Sequence, residues 1–347
     1  MTTSNIVLDL IDAFRRSKTM FAAVELGIFD GRRPAGAKEL ARLLDACVSL
    51  GLLEKRDEDY VNTPEADKFL RSDSPDTLTG YIRYSNNALY PMWGHLEDAV
   101  REGTHRWKQT FDWDGPIFSH FFRTEDAMRE FQKGMHGFGR LSSPAVVAAF
   151  DLARFRRLVD LGGGTGHLAE AARTRYPRLE TAVFDLPGVA KMYPGTIAGD
   201  FFADPLPAAD LYSLGRILHD WSEEKIAKLL AKIYAALPEG GGLLIAEKLL
   251  EPDYVSGHMQ SLNMLIVTEG RERSAGEYET LLLAAGFSKV DSRRTGAPVD
   301  AILAVKLDSS PRARAGLAGA DPSPRSRAGF GPEDVAPRVS KGTESKG

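Results

Sequence analysis

The residues with the clearest chemical potential lie in the second half of the chain. Leu158-Val-Asp-Leu-Gly-Gly-Gly-Thr-Gly166 runs from an apolar segment, through Asp160, into a glycine cluster and then a helical stretch. Glycines let backbone approach a ligand with no side chain between them. The spacing of Gly162, Gly164 and Gly166 is G-x-G-x-G, not the G-x-G-x-x-G of dinucleotide loops, so a nicotinamide cofactor is not the first choice. Asp185 ends the next apolar segment, nineteen residues beyond Gly166, where an acidic residue can hold ribose hydroxyls. Loop and carboxylate together predict a nucleoside-bearing ligand. The competing reading is a tight turn and a solvated aspartate.

A second group lies further along. His219 and Asp220, in Leu211-Tyr-Ser-Leu-Gly-Arg-Ile-Leu-His-Asp-Trp221, lie just beyond an apolar segment, and Glu247 ends the next one. Glu272 falls in Thr268-Glu-Gly-Arg-Glu-Arg273, a loop that could fold over the same edge. A lone histidine is usually structural. Two carboxylates within reach would make it a proton acceptor, because they stabilise the imidazolium as it forms. No His/Cys/Asp group has metal-ligand spacing, so no metal is expected.

These residues need a scaffold that brings strand ends together. Arg157–Leu161, Thr181–Asp185, Asp210–Leu214 and Leu243–Glu247 read as short buried strands, separated by helical stretches at Leu168–Arg175 and Glu223–Leu237. Alternating strand and helix predicts an α/β fold with a parallel sheet, whose ligands sit at the carboxyl ends of the strands. A helix over Gly276–Ala285 and strands at Ser288–Arg294 and Asp300–Val305 close this domain, 151–307.

The first half, 1–150, has a different grammar. Apolar residues from Ile6 to Val24 recur at helical spacing. A helix over Ala37–Leu50 leads into a hairpin between Gly51 and Thr63, the order of a winged helix. Aromatics crowd the stretch from Asp76 to Phe150; most should be core, and some could wall a pocket for a flat ring. Beyond Leu307 the chain turns to Ser, Pro, Arg, Gly and Ala, which cannot bury enough surface to offset ordering entropy. Residues 308–347 are expected to be a disordered tail.

Composition narrows the function classes. The chain has 347 residues, 43% hydrophobic and 27% charged, with a net charge of −4, which gives nucleic-acid binding no electrostatic support. Its single cysteine, Cys47, sits in an apolar run and should be a buried thiol. No apolar stretch reaches membrane-spanning length and the start lacks a signal pattern, so a cytoplasmic protein without a membrane partner is expected.

With the glycine loop, Val183-Phe-Asp-Leu-Pro187, Gly199-Asp-Phe-Phe202, Leu218-His-Asp-Trp221 and Ser261-Leu-Asn-Met-Leu265 occur in fixed order. From Asn5 to Leu307 the chain resembles the acetylserotonin (hydroxyindole) and plant small-molecule O-methyltransferase family. The resemblance implies a Rossmann-like class I methyltransferase sheet, an N-terminal helical and winged-helix dimerisation domain, and a homodimer. It implies S-adenosylmethionine as cofactor and a small aromatic hydroxyl compound, such as a hydroxyindole, as acceptor. Gly162, Gly164, Asp185, Gly199, Asp200, Phe201 and Arg216 match cofactor-contacting positions. His219 matches the general base, Glu247 and Glu272 the acids that position it, and Met135, Trp221 and Asn263 the substrate wall.

Two segments are shorter than the resemblance implies. One, after Asp30, is expected to leave a gap in the N-terminal core. The other, Leu186 to Ala198, is expected to be too short for both a full helix and the edge strand after it. The alternative function is therefore a homologue that binds the cofactor without turnover.

Overall fold

In the computed structural model, residues 5–34, 36, 38–251 and 257–307 are described. The expected tail at 308–347 lies outside them.

Helix α1 spans Ile6–Glu25, capped by the Asn5 side chain on the Val7 N–H. Only Ala23 and Val24 are buried on it; Ile6, Val7, Leu8, Leu10, Ile11 and Phe14 are 53–68% exposed. After a turn at Ile28–Asp30 come α2 (Leu40–Ser49) and an antiparallel hairpin, β1 (Leu53–Arg56) and β2 (Asp59–Asn62). Helix then hairpin is the order expected. The gap expected after Asp30 is not found among the described residues: Ile28, Phe29, Leu44, Cys47, Leu53 and Ala66 form one buried cluster. Cys47 is a buried free thiol. The exposed apolar surface lies on α1 instead.

Helix α3 (Thr79–Tyr84) continues through a π-helical segment, Ser85–Leu89, into α4 (Tyr90–Trp93). Helix α5 (Glu125–Ala148), capped by Thr124, packs on α3 and on the helix after the glycine loop. Small residues permit the first contact. A Cβ added at Gly80 would meet the Gly134 nitrogen at 2.8 Å.

Strands β3 (Arg157–Leu161), β4 (Glu180–Asp185), β5 (Ile197–Ala198), β6 (Leu211–Gly215) and β7 (Gly242–Glu247) are followed by the short β8 (Leu249–Leu250) and β9 (Arg273–Ser274), then β10 (Lys289–Arg293) and β11 (Asp300–Val305). The main sheet has the order β10-β11-β7-β6-β3-β4-β5. Its centre is parallel as expected, and β10 and β11 form an antiparallel edge. Helices α6 (His167–Arg175), α7 (Pro187–Met192), α8 (Glu223–Ala236), α9 (His258–Val267) and α10 (Ala275–Ala284) connect these strands. The segment after Asp185 keeps the edge strand whose loss was expected, at the cost of a shortened helix. A six-residue α7, with Pro187 in its first turn, turns the chain in time for a two-residue β5 to pair with Phe184 and Asp185.

Successive residues of the buried strands feed opposite faces, as the period of two requires. Val159, Leu243 and Ile245 join α8 and α10 residues in one cluster; Leu158, Leu244 and Ala246 join α5 and α6 residues in the other. Both faces are covered, which explains the near-continuous apolar runs. The chain order reverses between β3 and β6, so their carboxyl ends open a crevice at the switch point.

Candidate active site

The glycine loop leaves β3 with Gly162, Gly164 and Gly166 at φ of 67, 57 and 80°, a conformation that a Cβ would strain. The Gly164 N–H donates to Asp185 Oδ2 at 2.8 Å and the Leu186 N–H to Oδ1 at 2.7 Å. Asp185 is 8% exposed, and burial raises its pKa against these two bonds. Its fixed carboxylate retains lone pairs for a further donor. Beneath the loop, Asp160 Oδ1 accepts the Ser213 hydroxyl at 2.7 Å while the buried Oδ2 has no hydrogen-bond partner among the described residues. Burial pushes Asp160 up to about 7.

Helix α5 closes the loop from the other side. His136 Nδ1 and Thr165 Oγ1 are 2.8 Å apart, as are Ser143 Oγ and His167 Nδ1. A Cβ on Gly164 would come within 2.6 Å of Gln132 Oε1. The sequence signals none of these α5 partners, because no spacing along the chain links residue 132 to residue 164.

His219 lies on a 3₁₀ turn, Leu218–Asp220, beyond β6. It is 3% exposed, and its Nδ1 is 2.7 Å from Glu272 Oε1 and 3.2 Å from Glu247 Oε2. The sheet explains why residues so distant meet. Leu249 pairs in parallel with Arg273, which sets the ends of two segments carrying Glu247 and Glu272 side by side. Glu247 also shapes the turn that carries His219, since its Oε1 accepts the N–H groups of Ile217 and Leu218 at 3.0 and 2.9 Å. Buried Arg273 donates to the Leu218 and Arg271 carbonyls and to Glu223, tying the two loops together.

Burial alone would depress the His219 pKa, yet Glu247, Glu272 and Asp220 together override it and hold the imidazole up at about 10. Burial likewise raises Glu247 to about 7 and Asp220 to about 6, each moderated by His219. With Nδ1 hydrogen-bonded to Glu272, Nε2 is the nitrogen left for proton exchange. Side-chain atoms of His219, Glu247 and Glu272 fall within 4.8 Å of one another, a grouping that chain spacing concealed and that could hold a cation. The atoms that converge are those sharing the Nδ1 proton, so a cation would have to displace it.

One cavity of about 740 Å³ unites the site. Its wall includes Gly162, Gly164, Asp185, Gly199, Asp200 and Phe201 from the expected cofactor set, with Arg216 beside them. His219 and the expected acceptor wall, Met135, Trp221 and Asn263, line the same space. Glu247 and Glu272 do not; they stand behind His219. Gly199 is needed for packing, since a Cβ there would strike the Phe184 ring. Asp200 Oδ1 accepts the Phe202 N–H and so shapes a turn. Arg216 stands at φ 57°, its guanidinium 4.5 Å from the Phe138 ring centroid and Nη1 3.4 Å from Met135 Sδ. Of the aromatics read as core or pocket, Tyr81, Tyr84, Phe118, Phe121 and Phe122 line the cavity, whereas Trp107 is fully buried away from it.

Residues 93–288 match a family model for the O-methyltransferase domain. The chain belongs to the O-methyltransferase family. A model for the O-methyltransferase dimerisation domain matches residues 8–72. Among relatives of this O-methyltransferase, bovine acetylserotonin O-methyltransferase is 38% identical over 87% of this chain and 97% of its own. A human probable bifunctional dTTP/UTP pyrophosphatase/methyltransferase protein is 39% identical over 87% of this chain, and there the match spans 54% of the relative's length. The crystal structure of human N-acetylserotonin methyltransferase in complex with SAM has a TM-score of 0.83 at 37% identity, covering 88% of this chain and 99% of that one.

Proposed function

We propose that this O-methyltransferase transfers a methyl group from S-adenosylmethionine to the hydroxyl of a small aromatic, with N-acetylserotonin or another hydroxyindole as the favoured acceptor. The carrying observation is His219, its Nδ1 bound to Glu272 at 2.7 Å, on the wall of the cavity that also contains the glycine loop and Asp185. When bound, S-adenosylmethionine supplies a methyl on a positively charged sulfur, already activated for transfer. The residues fit it: the loop offers close backbone approach at Gly162 and Gly164, and Asp185 offers a fixed carboxylate for ribose hydroxyls. Gly199, Asp200, Phe201 and Arg216 would complete that half of the cavity.

In the other half, Met135, Trp221 and Asn263 join Tyr84 and Phe121 to wall a flat ring, which suits a small aromatic. In its unprotonated form, His219 takes the proton from the acceptor hydroxyl on Nε2. A phenol near pKa 10 loses its proton poorly to a free imidazole near 6.5; the carboxylates behind His219 narrow that difference. Glu272 fixes the tautomer, and Glu247 holds the turn. The remaining contribution of the protein is alignment of oxygen and methyl in an enclosed cavity.

We further propose a homodimer built on a winged-helix N-terminal domain, residues 1–150, with 151–307 as the methyl-transfer domain. The apolar, uncovered face of α1 supports it, within the segment matching the dimerisation family. A cytoplasmic location is proposed with it, supported by the unpaired buried thiol of Cys47. The deciding experiment is methyl transfer from labelled S-adenosylmethionine to a panel of phenols that includes N-acetylserotonin. Cofactor binding with no labelled product from any of them would replace this reading with that of a non-catalytic homologue.

A further inference from the structure

Asn263 lies on the cavity wall, but the orientation of its amide is decided from behind that wall. The Trp93 indole Nε1–H donates to Asn263 Oδ1 at 2.9 Å, and Trp93 does not line the cavity. An indole nitrogen can only donate. The amide oxygen must therefore face Trp93, and Nδ2, which makes no hydrogen bond among the described residues, is left for the cavity. We propose that Trp93 is a positioning residue for the methyl acceptor, turning Asn263 into a hydrogen-bond donor toward an acceptor oxygen. This rests on the reading of that half of the cavity as the acceptor site.

The backbone provides for the contact. Tyr84 faces the cavity and Trp93 comes nine residues later along one helical run. At about 100° per residue the two would lie on opposite sides of a regular α-helix. The π-helical segment Ser85–Leu89 between them adds a residue to the turn and rotates the next helix, α4, by about 100°. That rotation turns Trp93 toward α9, where Asn263 is carried. Without the indole, rotation of the amide about its last torsion would cost little, since such torsions have two comparable wells. The flipped amide would present its oxygen and repel an acceptor oxygen. With the indole in place, flipping would oppose two donors, so one orientation is held.

The test measures N-acetylserotonin affinity by calorimetry on enzyme loaded with S-adenosylhomocysteine, for wild type, Trp93→Phe, Asn263→Ala and the double variant. Trp93→Phe is expected to weaken acceptor binding about five-fold, the size of one neutral hydrogen bond, with S-adenosylhomocysteine affinity unchanged. In the Asn263→Ala background the same change should have almost no further effect. Equal weakening in both backgrounds, or parallel loss of S-adenosylhomocysteine affinity, would show that Trp93 acts only by packing. Should Trp93→Phe not fold, Asn263→Asp decides: it keeps an oxygen for the indole but removes the donor, so wild-type acceptor affinity there overturns the proposal. A wild type that binds N-acetylserotonin without methylating it contradicts the enzymatic reading alone, and one that binds no phenol of the panel contradicts both.

Discussion

Glu272→Gln tests how the site sets the basicity of His219. The glutamine keeps an oxygen for the Nδ1–H and removes one charge 2.7 Å from the ring. Three carboxylates lift His219 from 6.5 to about 10 against the effect of burial. At about 1.4 kcal/mol per pKa unit, that net lift is roughly 5 kcal/mol. A unit charge about 3 Å away is itself worth roughly 5 kcal/mol at an effective dielectric constant of about 20. Removing it should lower the imidazole by at least about one unit, even after Glu247 and Asp220 have adjusted. Two effects then oppose each other: more of the histidine is unprotonated at neutral pH, but each imidazole is a weaker base. For a drop of about one unit the rate at pH 7 should rise by no more than about three-fold, whereas above pH 10, where His219 is largely unprotonated in both forms, the variant should be slower by about two- to three-fold. The assay is kcat from pH 6 to 10.5 with both substrates saturating. An acid limb that stays at the same pH, with a uniform loss of rate, would refute the assignment of Glu272 as a source of His219 basicity.

His219→Ala should reduce turnover by about 100- to 10,000-fold and leave S-adenosylmethionine affinity nearly unchanged; parallel loss of affinity and melting temperature would instead mark a structural histidine. Asp185→Ala should weaken S-adenosylmethionine binding at least about ten-fold, from charge-assisted bonds worth roughly 1.5–3 kcal/mol each, and normal binding by titration would remove Asp185 from the site. Asp160 is a carboxyl whose pKa is raised on folding, from 3.8 to about 7. Its contribution to stability therefore falls as pH rises through that window. Asp160→Asn should gain melting temperature relative to wild type between pH 4 and pH 8, and parallel curves would contradict that reading. Light scattering should report a dimer, and Ile11→Glu, on the exposed face of α1, should shift it toward monomer; an unchanged dimer would move the interface elsewhere.

Much of this architecture is written in local pattern. Buried strands such as Leu158–Leu161 and Leu243–Ala246 are apolar because both faces of the sheet are covered, so they stand out along the chain. The glycine loop and its strand–turn–helix context are contiguous, and Asp185 comes at a distance set by one helix and one strand. Short elements are less legible. The two-residue β5 exists only because Phe184 and Asp185 offer it a ladder, a tertiary cause with no local signature. The antiparallel edge of β10 and β11 is likewise a matter of pairing, since the same residues could run either way in a strand.

The site divides along the same line. Residue types mark His219, Glu247 and Glu272 as able to cooperate, but their different roles depend on which oxygen faces which atom. Only the folded chain makes Glu272 the partner of Nδ1 and Glu247 the cap of the turn. The partners from α5, Gln132, His136 and Ser143, have no sequence signature, because packing of one helix against a loop some thirty residues away leaves no periodicity in either. Trp93 and Asn263 are the extreme case: 170 residues apart, their relation exists because a π-helical segment rotates one helix toward another. Sequence by itself determined the kinds of chemistry available and the strand ends that carry them; tertiary structure decided the pairings, because hydrogen bonds act over about 3 Å in space while the chain supplies their members in an order set by the fold's connections.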